Sequence, residues 1–120
     1  MQFFTLTQNF KEDMKVVLSN QEFLSYVTAY LDEVLIKIEE KYWNVADSEL
    51  SEGVLTVCID DVARPFIINR NVPMQQLWMS SPISGGSHYE LLENKWVDTQ
   101  TKEEFESRLF LDLEKIKRKS

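Results

Sequence analysis

The apolar residues in the first third of the chain recur with the period of a helix. They are spaced three or four residues apart, which places them on one face of an α-helix, at Phe23, Val27, Leu31, Val34, Ile38 and Tyr42. Ser19 and Glu22 stand just before this stripe as a capping box. The pattern therefore predicts an amphipathic helix that begins after Ser19 and runs to Tyr42.

From residue 49 onward, apolar and polar residues alternate as they do in β-strands. ELSEGVLTVCID is typical of a hairpin that turns at Glu52-Gly53, and PFIINR, QLWMS, HYELL and KWVDT predict further short strands. Six closely spaced strands with no helix between them must pair mostly antiparallel.

A second helical stripe follows the strands, with apolar residues at Phe105, Leu109, Leu113 and Ile116 after a second capping box at Thr101–Glu104. Two amphipathic helices and a one-sided sheet bury their apolar faces best against each other. The fold class is therefore α+β: a two-layer α-β sandwich, with two helices on one face of an about six-stranded, mainly antiparallel sheet. We expect a single domain over residues 19–120 and an N-terminal extension over residues 1–18, interpreted as a degenerate targeting segment.

The direction of the side chains in the strand around Trp78 determines which residues are exposed on the uncovered face of the sheet. If Leu77 and Met79 point to the core, then Gln76, Trp78 and Ser80 lie on the opposite face. An exposed tryptophan there is typical of a surface that recognises another protein. A register slip of one residue would instead bury Trp78 and expose Leu77 and Met79, and this alternative stays open.

The 120-residue chain has a net charge of −7, and this charge limits the classes of molecule that it can bind. Between residues 20 and 61 there are ten acidic side chains and two lysines, and the helix face opposite the apolar stripe carries Asp32, Glu33, Glu39 and Glu40 in two short rows. Such a surface repels nucleic acid and anionic membranes, and no apolar run is long enough to span a membrane. We expect neither as a partner, while a purely solubilising role for the acids is the alternative.

Few residues suit conventional catalysis or a fixed metal centre. The chain has one cysteine, Cys58, and one histidine, His88, too few for a zinc site of the usual kind. No phosphate-binding loop and no nucleophile–base arrangement is recognisable.

Several segments together resemble the frataxin family. They are EGVLTV, FIINR, QQLWMSSPISG, HYE and KWV; the resemblance runs from about Phe23 to Lys119 and is most specific from Gly53 to Val97. The SSP segment is similar to that of eukaryotic frataxins rather than bacterial CyaY proteins. The resemblance implies the same α-β sandwich.

The resemblance also implies two binding surfaces. Iron, Fe²⁺ or Fe³⁺, would bind weakly and transiently on an acidic ridge, whose positions correspond to Asp32, Glu39, Glu40 and Asp47, with Glu33 and Glu49 as extra acids nearby. A cysteine desulfurase and its iron–sulfur scaffold protein would meet the sheet face at Asn69, Gln76, Trp78, Ser80 and His88. Ile36 replaces an acid that is common in the middle of the ridge, and His88 stands where a basic residue is usual.

The resulting hypothesis is a regulatory protein that stimulates sulfur transfer in iron–sulfur cluster assembly. One alternative is a ferroxidase or iron-storage protein acting on the ridge, and another is an adaptor of the same fold without iron–sulfur partners. We expect a monomer, with iron-dependent oligomers as an alternative. The expected compartment is the mitochondrion or a mitosome, with the cytosol left open.

Overall fold

The computed structural model describes residues 15–119. The elements follow one another as a helix, six strands and a second helix: α1 (Asn20–Tyr42), β1 (Ala46–Ser51), β2 (Val54–Ile59), β3 (Phe66–Asn71), β4 (Gln76–Ser81), β5 (Gly85–Leu92), β6 (Lys95–Asp98) and α2 (Phe105–Lys119). Most of the predicted N-terminal extension, residues 1–14, lies outside the described residues.

The six strands form one sheet in chain order, and each strand is antiparallel to the next. Both helices lie on one face of this sheet, which confirms the predicted two-layer fold. The buried stripe of α1 consists of the six residues that the sequence predicts. It packs with the α2 stripe and with inward side chains of the strands, namely Leu55, Val57, Ile59, Phe66, Ile68, Leu77, Met79, Tyr89, Leu91 and Trp96. Each of these apolar side chains contributes about 1.5–3 kcal/mol by leaving water.

The β1–β2 turn lies at Glu52-Gly53, as the sequence predicts. Gly53 has φ +79°, and a Cβ atom there would lie 1.0 Å from Nη1 of Arg70. That nitrogen donates a hydrogen bond to the carbonyl of Glu52 at 2.8 Å. Only glycine leaves room for this cross-strand contact while adopting the left-handed conformation.

The predicted start of α1 is confirmed. The Ser19 hydroxyl accepts a hydrogen bond from the N–H of Glu22 at 3.1 Å, and the Glu22 carboxylate accepts one from the N–H of Ser19 at 2.9 Å. These two bonds satisfy backbone donors that the first turn of the helix leaves without partners.

The second predicted capping box, between Thr101 and Glu104, is wrong. Helix α2 begins only at Phe105, and Lys102 has φ +68°, which is not helical. The reason is competition from Asp98, whose side-chain oxygen accepts the N–H of Thr101 at 3.0 Å. An aspartate that bonds backbone groups just ahead of it folds the chain into a turn instead of a helix.

Residues 15–18 are tied to the sheet although the sequence assigned them to the extension. The N–H of Val16 donates to the carbonyl of Leu91 at 2.9 Å. The side-chain amide of Gln75 bonds both the N–H and the carbonyl of Leu18. This segment therefore lies beside the end of β5, at residues that β4 does not reach because β4 begins only at Gln76. Within the described chain, neither helix is both long and apolar enough to cross a membrane.

Candidate functional site

The sheet face turned away from the helices carries the predicted recognition residues. Asn69 pairs with Trp78, and Trp78 pairs with His88, so the three side chains lie in one row across β3, β4 and β5. Trp78 is 37% exposed, whereas Leu77 is fully buried and Met79 nearly so. The register that the sequence favours is confirmed, and the one-residue slip is excluded.

The indole of Trp78 is held in place from two sides. His88 stacks on it with ring centroids 4.2 Å apart and an angle of 9° between the ring planes. The indole N–H donates to the side-chain oxygen of Gln76 at 2.8 Å. Because the ring is already ordered, little conformational entropy remains to be lost when another molecule covers it.

Gln76 is the one predicted contact residue that the structure places differently. It points to the open face, but only 7% of it is exposed. In the sheet it lies between Asn71 and Glu90, both half-buried. Period-2 alternation shows which face a side chain takes but not how far its neighbours cover it. Gln76 therefore orients Trp78 and offers little surface of its own.

The remaining predicted contact residues, Asn69, Ser80 and His88, are exposed. Ile67 pairs with Ser80 and is 40% exposed on the same face. We call these residues, together with Trp78, the indole patch. Ile67 was not among the predicted contact residues, although strand alternation places it on this face.

The turn that follows β4 is fastened to α2 by a buried carboxylate. Asp112 is fully buried and accepts hydrogen bonds from the hydroxyls of Ser81 at 2.8 Å and Ser84 at 2.6 Å. Ser81, Ser84 and Asp112 were not among the residues predicted from the sequence. The available signal was the position of Asp112 beside Leu113 in the apolar stripe of α2, where a carboxylate needs partners.

The predicted iron ligands are all exposed but do not form one cluster. Asp32, Glu33, Glu39 and Glu40 lie on the solvent face of α1. Asp47 and Glu49 lie on the open face of the sheet, because they pair with Cys58 and Thr56, which point away from the core. Within residues 15–119, no three His, Cys, Asp or Glu side chains are grouped closely enough to hold a metal ion.

The two acidic rows of α1 have different neighbours. Lys37, on the side of α1 that faces α2, donates to Glu106 at 2.8 Å, and that hydrogen bond raises the pKa of Lys37. Glu33 raises this pKa further, and Glu40 lines the groove that also contains Lys37 and Lys41. The row of Glu33 and Glu40 thus lies beside Lys37 and Lys41, whose ion pairs are with Glu106 and Glu114 of α2. The row of Asp32 and Glu39 lies on the other edge of α1, away from these lysines.

Comparison with known proteins places the chain among frataxins. A family model described as "Frataxin-like domain" matches residues 16–119. A mitochondrial frataxin of Caenorhabditis elegans is 35% identical over 101 residues, covering 76% of this chain and 74% of the relative. The mitochondrial frataxin homologue of Saccharomyces cerevisiae is 34% identical over 95 residues, covering 76% of this chain and 54% of the relative. The chain thus spans only about half the length of the yeast protein.

A bacterial relative and two solved structures extend the comparison. The "Iron-sulfur cluster assembly protein CyaY" of Vibrio parahaemolyticus is 33% identical over 84 residues, covering 70% of this chain and 78% of the relative. A frataxin structure from Psychromonas ingrahamii superposes with a TM-score of 0.75 at 25% identity, covering 84% of this chain and 93% of that one. A trimeric yeast frataxin complexed with ferrous iron gives 0.62 at 27% identity, covering 86% and 89%.

Proposed function

This chain belongs to the frataxin family, and we propose that it is an iron-binding regulatory protein of iron–sulfur cluster assembly. Bacterial relatives are named as iron–sulfur cluster assembly proteins, and the yeast and Caenorhabditis elegans relatives are named as mitochondrial. The proposed place of action is accordingly the mitochondrion or an organelle derived from it.

In the proposed mechanism, the indole patch docks on a complex of a cysteine desulfurase with its scaffold protein and thereby stimulates sulfur transfer. The observation that carries this proposal is Trp78, exposed on an open sheet face and clamped by Gln76 and His88. Since its N–H is already bonded within the chain, the partner meets the indole through apolar or π contact. Ordered aromatic anchors of this kind supply most of the binding energy in many protein interfaces.

Iron is proposed as cargo handled on the acidic residues of α1. Carboxylate oxygens are hard ligands that suit Fe²⁺ and Fe³⁺. The exposed face of one helix offers each ion one or two of them, so water would complete the coordination shell. This geometry supports weak binding and fast exchange.

The proposal is tested with two tryptophans of the same chain. Trp78→Ala is compared with Trp43→Ala, since Trp43 is 77% exposed at the end of α1 and lies outside the indole patch. Each variant is assayed for binding to the desulfurase–scaffold complex and for stimulated sulfide production. We expect Trp78→Ala to lose more than about 2 kcal/mol of binding, roughly thirtyfold in affinity. Trp43→Ala should behave like wild type. Equal stimulation by both variants would refute the docking surface.

A further inference from the structure

Gln75, the last residue of the β3–β4 turn, has an uncommon backbone conformation. Its φ is +51°, a left-handed value that residues other than glycine and asparagine rarely adopt. The turn closes through the N–H of Gln75, which donates to the carbonyl of Val72 at 3.1 Å. Since glycine or asparagine would suit this backbone better, the turn alone does not account for a glutamine at this position.

The side chain of Gln75 accounts for it. The amide oxygen accepts the N–H of Leu18 at 3.0 Å, and the amide nitrogen donates to the carbonyl of the same residue. Both backbone groups of Leu18, which precedes α1, thereby find partners. Gln75 is half-buried. These two hydrogen bonds tie the segment 15–18 to the turn and hold the left-handed backbone of Gln75 in place.

Lys15 ties the same segment to the open face of the sheet. Its ammonium donates to the carbonyl of Met74 at 3.2 Å and lies 3.7 Å from the carboxylate of Glu90. Glu90 pairs with Gln76 across β4 and β5, so both side chains lie on the open face. The segment 15–18 therefore contacts the residue that pairs with Gln76 as well as the turn that precedes it.

These contacts surround Gln76, the residue that holds the indole. Gln76 begins β4 directly after the turn, and its side-chain oxygen accepts the indole N–H of Trp78 at 2.8 Å. The φ of Gln75 sets the direction in which the chain enters β4, and the position of the Gln76 amide follows from that direction. Without the bonds to Leu18, the turn would be free to relax, and the amide would no longer be fixed below the indole.

We infer that Gln75 is a positioning residue of the docking site, an inference that rests on the proposed docking function. By bonding Leu18 it fixes the start of β4, and thereby the amide of Gln76 that orients Trp78. Gln75 acts on the indole through Gln76 and not by its own contact with the partner. The segment 15–18, which the sequence assigned to an extension, is thus a structural part of the recognition surface.

The first test follows the indole of Trp78 in the free protein. Exchange of its N–H proton with solvent is measured by NMR on the full chain for wild type, Gln75→Gly and Gln75→Glu. Glycine adopts the left-handed conformation readily but has no side chain. Glutamate can accept the N–H of Leu18, but its carboxylate cannot donate to the carbonyl.

We expect exchange to be about threefold faster in Gln75→Gly, as for the loss of one hydrogen bond, and intermediate in Gln75→Glu. If Gln75 mattered only for the shape of the turn, glycine would serve at least as well as glutamine. Exchange in Gln75→Gly at the wild-type rate would therefore overturn the inference.

Docking on the desulfurase–scaffold complex tests whether Gln75 acts through Gln76. We expect Gln75→Gly to weaken docking about threefold, less than the roughly fivefold expected for Gln76→Leu. Adding Gln75→Gly to Gln76→Leu should have no further effect, because residues that act through one shared contact are not additive. Fully additive losses in the double variant would refute the positioning role.

Met74→Ala is the matched control in the same turn. The Met74 side chain is 53% exposed, and the variant keeps the backbone carbonyl that accepts from Lys15. Both indole exchange and docking should be those of wild type. If Met74→Ala shows the same losses as Gln75→Gly, the effect belongs to the turn as a whole and the assignment to Gln75 is wrong.

Trp78→Ala separates this inference from the proposed function. If Trp78→Ala abolishes docking while Gln75→Gly docks as wild type does, the positioning role is refuted and the docking surface stands. If Trp78→Ala docks normally, the proposed function fails, and indole exchange in the free protein alone decides whether Gln75 orders the indole.

Discussion

The carboxylate of Asp112 in α2 accepts the hydroxyl of Ser81 at the end of β4, with 2.8 Å between the two oxygens. Ser81 in turn accepts the backbone N–H groups of Ile83 at 3.1 Å and Ser84 at 3.2 Å. A helix on the covered face of the sheet thus holds the turn that follows the Trp78 strand. The conformation of the turn next to the indole patch therefore depends on a hydrogen bond to the helix on the opposite face of the sheet.

Removing this carboxylate should destabilise the fold strongly. Asp112→Ala leaves two serine hydroxyls and one donor of Arg108 without their partner. We expect a loss of about 3–5 kcal/mol in the free energy of unfolding, since breaking a buried charged network leaves uncompensated polar groups. Urea unfolding measures it. The neighbouring Leu111 is 45% exposed, and Leu111→Ala should cost less than about 1 kcal/mol. Similar losses in the two variants would contradict the buried role of Asp112.

The contribution of the Trp78–Gln76 hydrogen bond to docking can be tested by substituting Gln76. Gln76→Leu removes the acceptor of the indole N–H, whereas Gln76→Glu keeps an oxygen at the same reach. We expect Gln76→Leu to weaken docking by about 1 kcal/mol, roughly fivefold, and Gln76→Glu to retain more of the affinity. Calorimetric titration against the desulfurase–scaffold complex gives both values. If Gln76→Leu binds as tightly as wild type, the hydrogen bond between Gln76 and the indole does not contribute to docking.

Stability at acid pH should depend on Glu106. Burial alone would raise its pKa, but hydrogen bonds from Lys37 and Tyr30 outweigh burial and hold the pKa below the ordinary 4.5. A carboxyl whose pKa is lower in the folded than in the unfolded chain stabilises the fold above the unfolded pKa. That stabilisation is lost as the pH falls through the folded pKa.

The variant Glu106→Gln should therefore be less stable than wild type near neutral pH, and the difference should shrink below about pH 4.5. Urea unfolding at several pH values between about 3 and 7 measures this convergence. Glu104→Gln serves as the control, because the side chain of Glu104 forms an exposed ion pair with Lys95 at 3.6 Å, which is worth about 0–1 kcal/mol. Parallel pH curves for wild type and Glu106→Gln would contradict the prediction.

Iron should favour one edge of α1 over the other. The double variant Asp32→Asn, Glu39→Gln removes the row that lies away from the lysines. The double variant Glu33→Gln, Glu40→Gln removes the row beside Lys37. Because a nearby ammonium repels a cation, we expect the first variant to weaken Fe²⁺ binding several-fold more than the second. Anaerobic Fe²⁺ titration measures this difference, and equal losses would show that the lysines do not matter.

The same pair of double variants examines the ferroxidase alternative. If the protein oxidises Fe²⁺ on the ridge, oxygen-dependent consumption of Fe²⁺ should fall in the variant lacking Asp32 and Glu39. An unchanged rate in both variants would remove that alternative and leave the regulatory role.

The periodic spacing of apolar residues was sufficient to predict which face of a helix or strand is buried. The helical spacing from Phe23 to Tyr42 predicted the buried stripe of α1, and strand alternation predicted the opposite directions of Leu77 and Trp78. These predictions succeeded because a side chain's direction follows from backbone geometry within a few residues. The resemblance to frataxins was confirmed for the same reason, since its motifs are continuous stretches of chain.

Only the tertiary structure decided how these elements meet. Gln76 is covered by neighbours on two other strands, Asp112 finds its serines 28 and 31 positions away, and Asp98 turns the chain where a capping box was expected. The acids of α1 and those of β1 point to opposite sides of the molecule, because α1 covers one face of the sheet and the acids of β1 lie on the other. Periodicity assigns each side chain to a face, whereas coverage, pairing and charge depend on residues that only folding brings together.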